Sequence, residues 1–221
     1  MMNSPFFISL RIALCATILV FITGLFFSYF SLRWKKLRKI MDVVFMLPMV
    51  LPPTVIGFFL LVVLSKQYAF GQFLNEHHIN IIFTWWAGVI SAYFVAFPLM
   101  YRSAQSAMEQ LDDNLYHAAR TLGMKEWTIF WKVIFPNCLP GILSGTILAF
   151  TRAFGEFGAT IMVTGNIPNK TQTISMAIYS AMQSGNITLA IQWVCLILAF
   201  SSICIFIMNI CVQRNWKKGK T

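Results

Sequence analysis

The sequence predicts an all-α integral membrane protein, and this prediction depends on composition and on the length of the apolar runs. Hydrophobic residues make up 58% of the 221 residues, while charged residues make up only 11%. A soluble domain carries roughly 25% charged residues, so the composition argues against a water-soluble enzyme. With 21 Phe and 7 Trp, the chain is also too apolar to be disordered.

Five apolar runs are each long enough to cross a bilayer, which takes about 20 residues of helix. These predicted spans are residues 6–30, 41–64, 79–101, 139–163 and 187–212. Together they form a single transmembrane domain over 6–212, and a basic tail at 213–221 follows it. The first run is not interpreted as a cleavable signal peptide, because no basic segment precedes it and its apolar stretch is too long.

Basic residues lie on one side of the predicted membrane. They cluster in the segments 31–40, 102–137 and 213–221, whereas the opposite loops hold only Lys66 and Lys170. Cytoplasmic loops are enriched in Lys and Arg, which predicts an outside N-terminus and a cytoplasmic C-terminus in the cell (inner) membrane. The net charge of +10 is thereby assigned to topology in a lipid membrane and not to nucleic-acid binding.

Prolines interrupt the second predicted span near its middle. Pro48, Pro52 and Pro53 lie close together, and Thr54 follows them. A proline inside a helix costs about 3 kcal/mol and frees a carbonyl, which must be buried in protein or line a wet cavity. We therefore expect a broken helix whose residues are candidates for a transport pathway or gate. A kink that serves packing is the alternative.

An arginine and a glutamate lie at the centre of the fourth predicted span. A charge at that depth costs roughly 2.5–3.5 kcal/mol, whereas an exposed pair four residues apart returns about 0.2–0.5 kcal/mol. Arg152 and Glu156 are therefore expected to share a helix face that meets a polar cavity or another helix. Arg152 is a candidate contact for a passing oxyanion; a structural ion pair is the alternative. Hydroxyl side chains that are candidates for lining the same route are those of Thr54, Ser91, Ser144, Thr146 and Thr151.

The cytoplasmic loop 102–137 is too long and too patterned to be a simple turn. Asp112 or Asp113 can cap a short helix over 114–122. Gly123 suits the left-handed position that commonly ends a helix. A structured helix on this side of the membrane predicts a docking element, and a helix that lies on lipid is the alternative.

Two further amphipathic segments are predicted. Residues 124–135 continue the cytoplasmic loop until Pro136 stops them. On the other side of the membrane, residues 171–184 reach only about 21 Å at roughly 1.5 Å per residue, so we expect an interfacial or re-entrant helix. The predicted apolar face of that helix consists of Ile174, Ile178 and Met182.

Motifs for covalent chemistry and nucleotide binding are absent from the sequence. It has no G-x-x-x-x-G-K-[ST] loop, no H-E-x-x-H and no G-x-S-x-G. We therefore expect no catalytic residues, no metal site and no cofactor bound by this chain. The five cysteines are interpreted as packing residues, and Glu76, His77 and His78 as an exposed polar loop.

Part of the cytoplasmic loop resembles the E-A-A-x3-G-x9-I-x-L-P signature of the permease subunits of bacterial ABC importers. His117-Ala118-Ala119 is followed after three residues by Gly123, and after nine more by residues 133–136. The spacing is kept, and His117 stands where the signature has Glu. The resemblance implies a coupling helix that docks in a groove of a separate ATPase subunit. The residues that it assigns to this coupling site are His117, Ala118, Ala119, Arg120, Thr121, Leu122 and Gly123.

Three further stretches, 47–57, 149–160 and 165–173, are similar to the molybdate permeases of that family. The resemblance implies a homodimer with one pathway, two ABC ATPase subunits that carry ATP and Mg, and an external molybdate-binding protein. It also implies translocation of molybdate by alternating access. A sulfate or tungstate permease of the same family is the alternative, because the motif in 149–160 also occurs in sulfate permeases and tungstate closely matches molybdate.

Overall fold

A computed structural model describes residues 4–218, with the backbone alone for Lys35, 208–209 and 211–218. Within that range it has eleven α-helices, one π-helical segment and no strand, which confirms the predicted all-α class. The π-helical segment, Phe130–Ile134, joins α7 to α8. The α-helices are α1 (Pro5–Arg33), α2 (Lys35–Val50), α3 (Pro53–Leu64), α4 (Ala69–Glu76), α5 (Trp85–Glu109), α6 (Asp113–Thr121), α7 (Glu126–Ile129), α8 (Phe135–Phe154), α9 (Gly158–Thr164), α10 (Ile174–Gln183) and α11 (Ile187–Lys218).

The apolar runs correspond to long helices, but not in a simple one-to-one way. In the described part of the chain, three stretches of helix are long and apolar enough to cross a membrane. A fourth span exists only if α2 and α3, which are bent by 109° relative to each other, count as one broken span. Helix α5 accounts for the predicted span 79–101, but it begins only at Trp85 and carries Arg102 and Gln105 in its C-terminal half. The three stretches of helix that are long and apolar enough to cross a membrane are Pro5–Arg33, Glu126–Phe154 and Ile187–Ile207.

The predicted break in the second span is present. Helix α2 ends at Val50, and Leu51 and Pro52 leave the helical conformation before α3 begins. Pro53 takes the first position of α3, where a missing N–H leaves no hydrogen bond unmade. Pro48 instead lies inside α2, and the helix continues through it. The break is therefore made by the second and third prolines and not by the first.

The fourth predicted span, 139–163, is not one helix. A continuous helix occupies Glu126–Phe154, and helical backbone resumes only as the short α9. Arg152 lies in the last turn of α8, and Glu156 lies in the break that follows Gly155. The expectation that the two charged residues share one helix face is therefore wrong, because α8 ends between them.

Pro136 does not stop the segment before it, contrary to expectation. The predicted amphipathic segment 124–135 runs through the π-helical segment directly into α8. There the N–H of Phe135 bonds to the carbonyl of Phe130, five residues back, where an α-helix would bond four residues back. Pro136 follows directly after this wider turn as the second residue of α8, and the helix continues through it.

Helices α1, α5 and α8 form the centre of the fold. Helices α5 and α8 approach each other through small residues: a Cβ on Gly141 would lie 2.5 Å from the Cβ of Ala107. One turn further on, a Cβ on Gly145 would lie 2.6 Å from the Cβ of Ser103. Small residues allow membrane helices to pack at such short range. Buried side chains that α1 contributes to this centre include Ala13, Ala16 and Val20.

Helix α10 forms within the predicted segment 171–184, but it buries a different face. Met182, expected on the apolar face, is 59% exposed. The buried side chains are those of Ile174, Met176, Ala177 and Ala181, because α10 packs against α1 and α11. The N–H of Ile174 also donates to the hydroxyl of Ser9 in α1 at 2.8 Å.

Helix α11 continues beyond the predicted end of the fifth span. The helix runs from Ile187 to Lys218, so the first part of the predicted tail 213–221 is helical, and residues 219–221 lie outside the described residues. Its apolar side chains are largely uncovered: Leu198 is 61% and Phe206 is 66% exposed. Exposed apolar side chains along a membrane-length helix are suited to contact with lipid.

Candidate functional site

The first candidate site is α6 together with the turn that ends it. Asp112 accepts a hydrogen bond from the N–H of Asn114 at 2.9 Å, so it caps the helix as the sequence predicts. Gly123 has a φ of +72°, a left-handed conformation that glycine adopts without strain. A Cβ at this position would meet no atom within 4 Å. The turn therefore requires glycine for its backbone conformation and not for space.

One face of α6 packs against the rest of the protein, and the opposite face is exposed. Ala119 is buried, whereas Leu115 is 44% and Leu122 is 80% exposed. Ala118 and Leu122 follow Leu115 by three and seven residues, and this spacing places all three on one helix face. An exposed apolar row on a short helix is suited to a groove in a partner protein. The other exposed residues of the predicted coupling set are His117, Arg120, Thr121 and Gly123.

Polar contacts attach α6 to the membrane helices. Tyr116 of α6 donates to a carboxylate oxygen of Glu126 at 2.9 Å. Arg33, the last residue of α1, donates to the Tyr116 hydroxyl at 3.1 Å and forms an ion pair with Glu126. A displacement of α6 would therefore be passed to α1 through these contacts. Sequence reasoning missed these three residues, because Arg33 and Glu126 are 93 positions apart and no local spacing joins them.

The second candidate site lies where the two interrupted helices meet. Helix α3 packs against α9 so closely that a Cβ on Gly57 would lie 2.8 Å from the carbonyl oxygen of Ala159. A Cβ on Gly158 would lie 3.1 Å from the Cβ of Pro53 and 3.5 Å from the Cγ2 of Thr54. The structure thus brings together the proline break and the break after α8, which the sequence singled out separately.

Glu156 is the only buried charged residue among the side chains that the structure describes. One carboxylate oxygen lies 2.5 Å from Nη1 of Arg152, and the other accepts the N–H of Ala159 at 2.9 Å. The carboxylate therefore joins the end of α8 to the first turn of α9. This arrangement favours the structural alternative for the pair, because Glu156 already engages the guanidinium of Arg152.

Most of the candidate lining hydroxyls are engaged by backbone carbonyls. Ser91 donates to the carbonyl of Gly88 at 3.0 Å and lies 2.8 Å from the hydroxyl of Thr160. Thr54 differs, because it is exposed beside the break. Hydroxyls that bond to their own helix are common in membrane proteins and do not by themselves indicate a pathway. The other hydroxyls that donate within their own helix are those of Ser144, Thr146 and Thr151.

A partly buried polar network links α2 and α5, and sequence reasoning missed it. Gln105 has no exposed surface and donates to Oδ1 of Asp42 at 2.9 Å. The Tyr101 hydroxyl donates to the same oxygen at 2.5 Å, and Arg38 lies 3.6 Å from the other carboxylate oxygen. A signal was available, because Asp42 is the only charged residue in the predicted span 41–64, and charges within spans are rare.

Comparison with known proteins assigns the chain to a family. Residues 16–217 match the family described as binding-protein-dependent transport system inner membrane component. The chain belongs to that family. It is therefore a multi-pass component of an inner-membrane transport system, and its predicted membrane location and its role as a transport subunit are confirmed at this level. The orientation of its termini stays a prediction.

Curated members of the binding-protein-dependent transport family resemble the chain over most of its length. The putative molybdenum transport system permease protein YvgM of Bacillus subtilis (strain 168) is 42% identical, over 93% of this chain and 92% of that protein. The molybdenum transport system permease protein ModB of Escherichia coli (strain K12) is 40% identical, over 80% and 78%. The sulfate transport system permease protein CysT of the same strain is 32% identical, over 94% and 75%.

A solved structure has the same fold. A chain of the MetNI methionine ABC transporter, solved in inward-facing conformations, matches with a TM-score of 0.75 and covers 96% of this chain and 94% of that chain. The two sequences are only 15% identical, so the likeness concerns the fold alone. It supports the all-helical architecture of this binding-protein-dependent transport component.

Proposed function

We propose that the chain is the membrane subunit of an ATP-driven importer for molybdate. The observation that carries the proposal is the 42% identity to a putative molybdenum permease over 93% of the chain. The identity to a sulfate permease is lower, 32% over 94% of the chain. That second similarity favours sulfate as the alternative substrate, and tungstate is a further alternative because it matches molybdate in shape and charge.

The proposed assembly contains three kinds of component. Two copies of this chain would enclose one pathway, and two ABC ATPase subunits would bind ATP and Mg on the cytoplasmic side. A molybdate-binding protein would deliver the ion from outside. This chain would bind no cofactor of its own, and its N-terminus would lie outside and its C-terminus in the cytoplasm, as the distribution of Lys and Arg predicts.

Helix α6 is the proposed coupling helix. The exposed row of Leu115, Ala118 and Leu122 would enter a groove of the ATPase subunit. The contacts of Tyr116 and Arg33 with Glu126 would pass its displacement to α1. Binding of ATP would close the ATPase dimer and draw the two copies of α6 together.

The paired breaks supply the proposed points of movement. Two interrupted helices that pack against each other can change their relative angle without losing a full turn of helical hydrogen bonds. The two copies of the permease would rock against each other and open the pathway to alternate sides. ATP hydrolysis would then reset the complex.

Uptake by the reconstituted complex tests the proposal. Proteoliposomes would contain this chain, its ATPase subunit and its binding protein, and would receive molybdate, tungstate or sulfate in parallel. We expect ATP-dependent uptake of molybdate that exceeds uptake of sulfate. Uptake of sulfate at an equal or higher rate would transfer the assignment to sulfate, and no uptake of any of the three ions would show that the proposed substrate class is wrong.

Replacement of Gly123 by valine is expected to lower uptake without lowering the amount of the chain in the membrane. The substitution forces a β-branched residue into a conformation with φ of +72°, which costs about 1–2 kcal/mol. The backbone strain acts on the exposed end of α6 and leaves the packing of the core unchanged. Uptake and co-purification with the ATPase are the measurements.

Gly123→Asn is the matched control, because asparagine tolerates the left-handed conformation better than valine does. We expect uptake by this variant to lie between those of the wild type and Gly123→Val. Normal uptake by Gly123→Val would contradict a role for this turn in coupling.

A further inference from the structure

A groove of about 630 Å³ lies between the C-terminal half of α5 and the N-terminal half of α8. Ser144, one of the candidate lining hydroxyls, and Asp112, the cap of α6, lie in its wall, but no role has been assigned above to the groove itself. Helix α5 ends beside the start of α6, so the groove opens at the end of the membrane helices where the coupling helix lies. Its polar lining includes the side chains of Arg102, Ser103, Ser106, Gln110, Asp112 and Asn137.

The groove occupies the side of α5 that faces away from α1. On the α1 side, the hydroxyl of Ser28 donates to the carbonyl of Tyr101 at 2.8 Å, and Gln105 donates to the hydroxyl of Ser31 at 3.4 Å. Because a helix turns by about 100° per residue, Ser106 lies on the far side from Tyr101. The groove is therefore not covered by α1.

Arg102 supplies the positive charge of the groove. Its Nη1 donates to the side-chain oxygen of Gln105 at 2.7 Å, and Gln105 is itself held by Asp42 at 2.9 Å. In the described part of the chain, Arg102 forms no ion pair with a carboxylate. One N–H is thus used to orient the guanidinium, and the others stay available in a fixed fork that matches two oxygens of an oxyanion.

Besides Arg102, both helices contribute uncharged hydrogen-bond donors to the groove. Ser106 accepts from the amide of Gln110 at 3.2 Å, which leaves its hydroxyl hydrogen free to donate into the groove. Asn137 uses its amide nitrogen once, to the carbonyl of Val133 at 2.7 Å, and retains a second hydrogen. Hydroxyl and amide donors around one guanidinium are suited to an anion with several equivalent oxygens.

Asp112 also belongs to the lining, and its negative charge opposes that of an anion. Its carboxylate is partly engaged, because it caps α6 through the N–H of Asn114 at 2.9 Å. The formal charges of Arg102 and Asp112 cancel, so an anion would be held by direct hydrogen bonds and only weakly. Weak attraction suits a transported ion, because tight capture would prevent release.

We infer that this groove binds a tetrahedral oxyanion dianion as it leaves the membrane, with Arg102 as the charged contact and Gln105 as the residue that positions it. The inference rests on the proposed function for the direction of transport and for the identity of the ion. It assigns the anion contact to Arg102 in α5 and not to Arg152, whose guanidinium is held by Glu156.

The first test measures uptake by the complete complex with Arg102→Gln. We expect molybdate uptake at least about tenfold slower, because a hydrogen bond to a charged group is removed at the exit, while Arg102→Lys keeps the charge and loses less. The ATPase rate that the loaded binding protein stimulates is expected to stay near that of the wild type. Lys132→Gln is the matched control, since Lys132 is exposed near the same end of α8 and does not line the groove.

The second test detects occupancy of the groove without transport. A cysteine introduced as Ser106→Cys is labelled with a charged thiol reagent in the purified complex, in sodium molybdate, sodium sulfate or sodium chloride at equal ionic strength. We expect labelling to slow at least about twofold once the dianion reaches its dissociation constant. Protection of Ser106→Cys by the dianion should disappear in the double variant that also carries Arg102→Gln. A cysteine introduced as Lys132→Cys, outside the groove, should be labelled at the same rate in all three salts.

The outcomes separate this inference from the proposed function. Failure of the wild-type complex to take up any oxyanion would overturn the proposed function, while protection of Ser106→Cys would still support the anion site. Equal labelling of Ser106→Cys in all three salts would overturn the inference even if uptake is normal. Unchanged uptake by Arg102→Gln would also overturn it.

Discussion

Gly57→Leu is expected to prevent the chain from folding in the membrane. A Cβ at this position would lie 2.8 Å from the carbonyl oxygen and 2.9 Å from the Cα of Ala159, which are both backbone atoms. Backbone in a helix cannot turn aside as the end of a side chain can, so α3 and α9 would have to separate. Overpacking of a core costs typically about 1–3 kcal/mol, and we expect the upper end or more because the whole leucine side chain must be accommodated.

The yield of monodisperse complex after detergent extraction measures this effect, and uptake measures its consequence. Gly57→Ala and Gly155→Ala form a matched pair, because a Cβ on Gly155 would meet only the carbonyl oxygen of Thr151, at an ordinary 3.6 Å. We expect Gly57→Ala to lower the yield and Gly155→Ala to leave it unchanged. Wild-type yield of Gly57→Leu would show that α3 and α9 do not pack as described.

Glu156→Ala is expected to have the second largest effect. The substitution removes the partner of Arg152, at 2.5 Å, and the acceptor for the N–H of Ala159, at 2.9 Å. Loss of one partner of a fully buried pair costs about 3–5 kcal/mol. We expect a smaller loss here, because the Arg152 side chain is 34% exposed and water partly replaces its partner. Thermal unfolding of the purified complex is the measurement.

The double variant Arg152→Gln with Glu156→Gln separates the structural role of the pair from contact with an anion. Removal of both charges leaves no unpaired charge, so we expect a smaller loss of stability than the two single Gln variants give in sum. A double variant that folds and transports normally would support a purely structural pair. One that folds normally but takes up no oxyanion would show that Arg152 contacts the ion, against our assignment.

Features determined by a few neighbouring residues could be predicted from the sequence. The short helix α6 follows from the cap at Asp112 and from the left-handed residue Gly123, and both are where the sequence places them. The break between α2 and α3 follows from Pro52 and Pro53, since two adjacent prolines cannot continue a helix.

Features that depend on contacts between distant segments could not be predicted. Pro136 gives the same local signal as Pro53, but the π-helical turn before it allows the helix to continue. The hydrogen bond between Gln105 and Asp42 joins residues 63 positions apart. Glu156 lies in the break after α8, where its carboxylate accepts the N–H of Ala159 in the first turn of α9. The spacing of Arg152 and Glu156 alone indicated one uninterrupted helix.

The π-helical segment also sets the rotational position of α6 and α7 relative to α8. A π-helical turn contains one more residue than an α-helical turn. Because each α-helical residue accounts for about 100°, the extra residue rotates the preceding segment by about that angle around the axis of α8. Helix α7 and the neighbouring α6 therefore face a direction that an uninterrupted helix over Glu126–Phe154 would not give. One additional residue thus determines which side of α8 the segment with α6 and α7 occupies, and hence the direction from which the proposed ATPase subunit would act on α8.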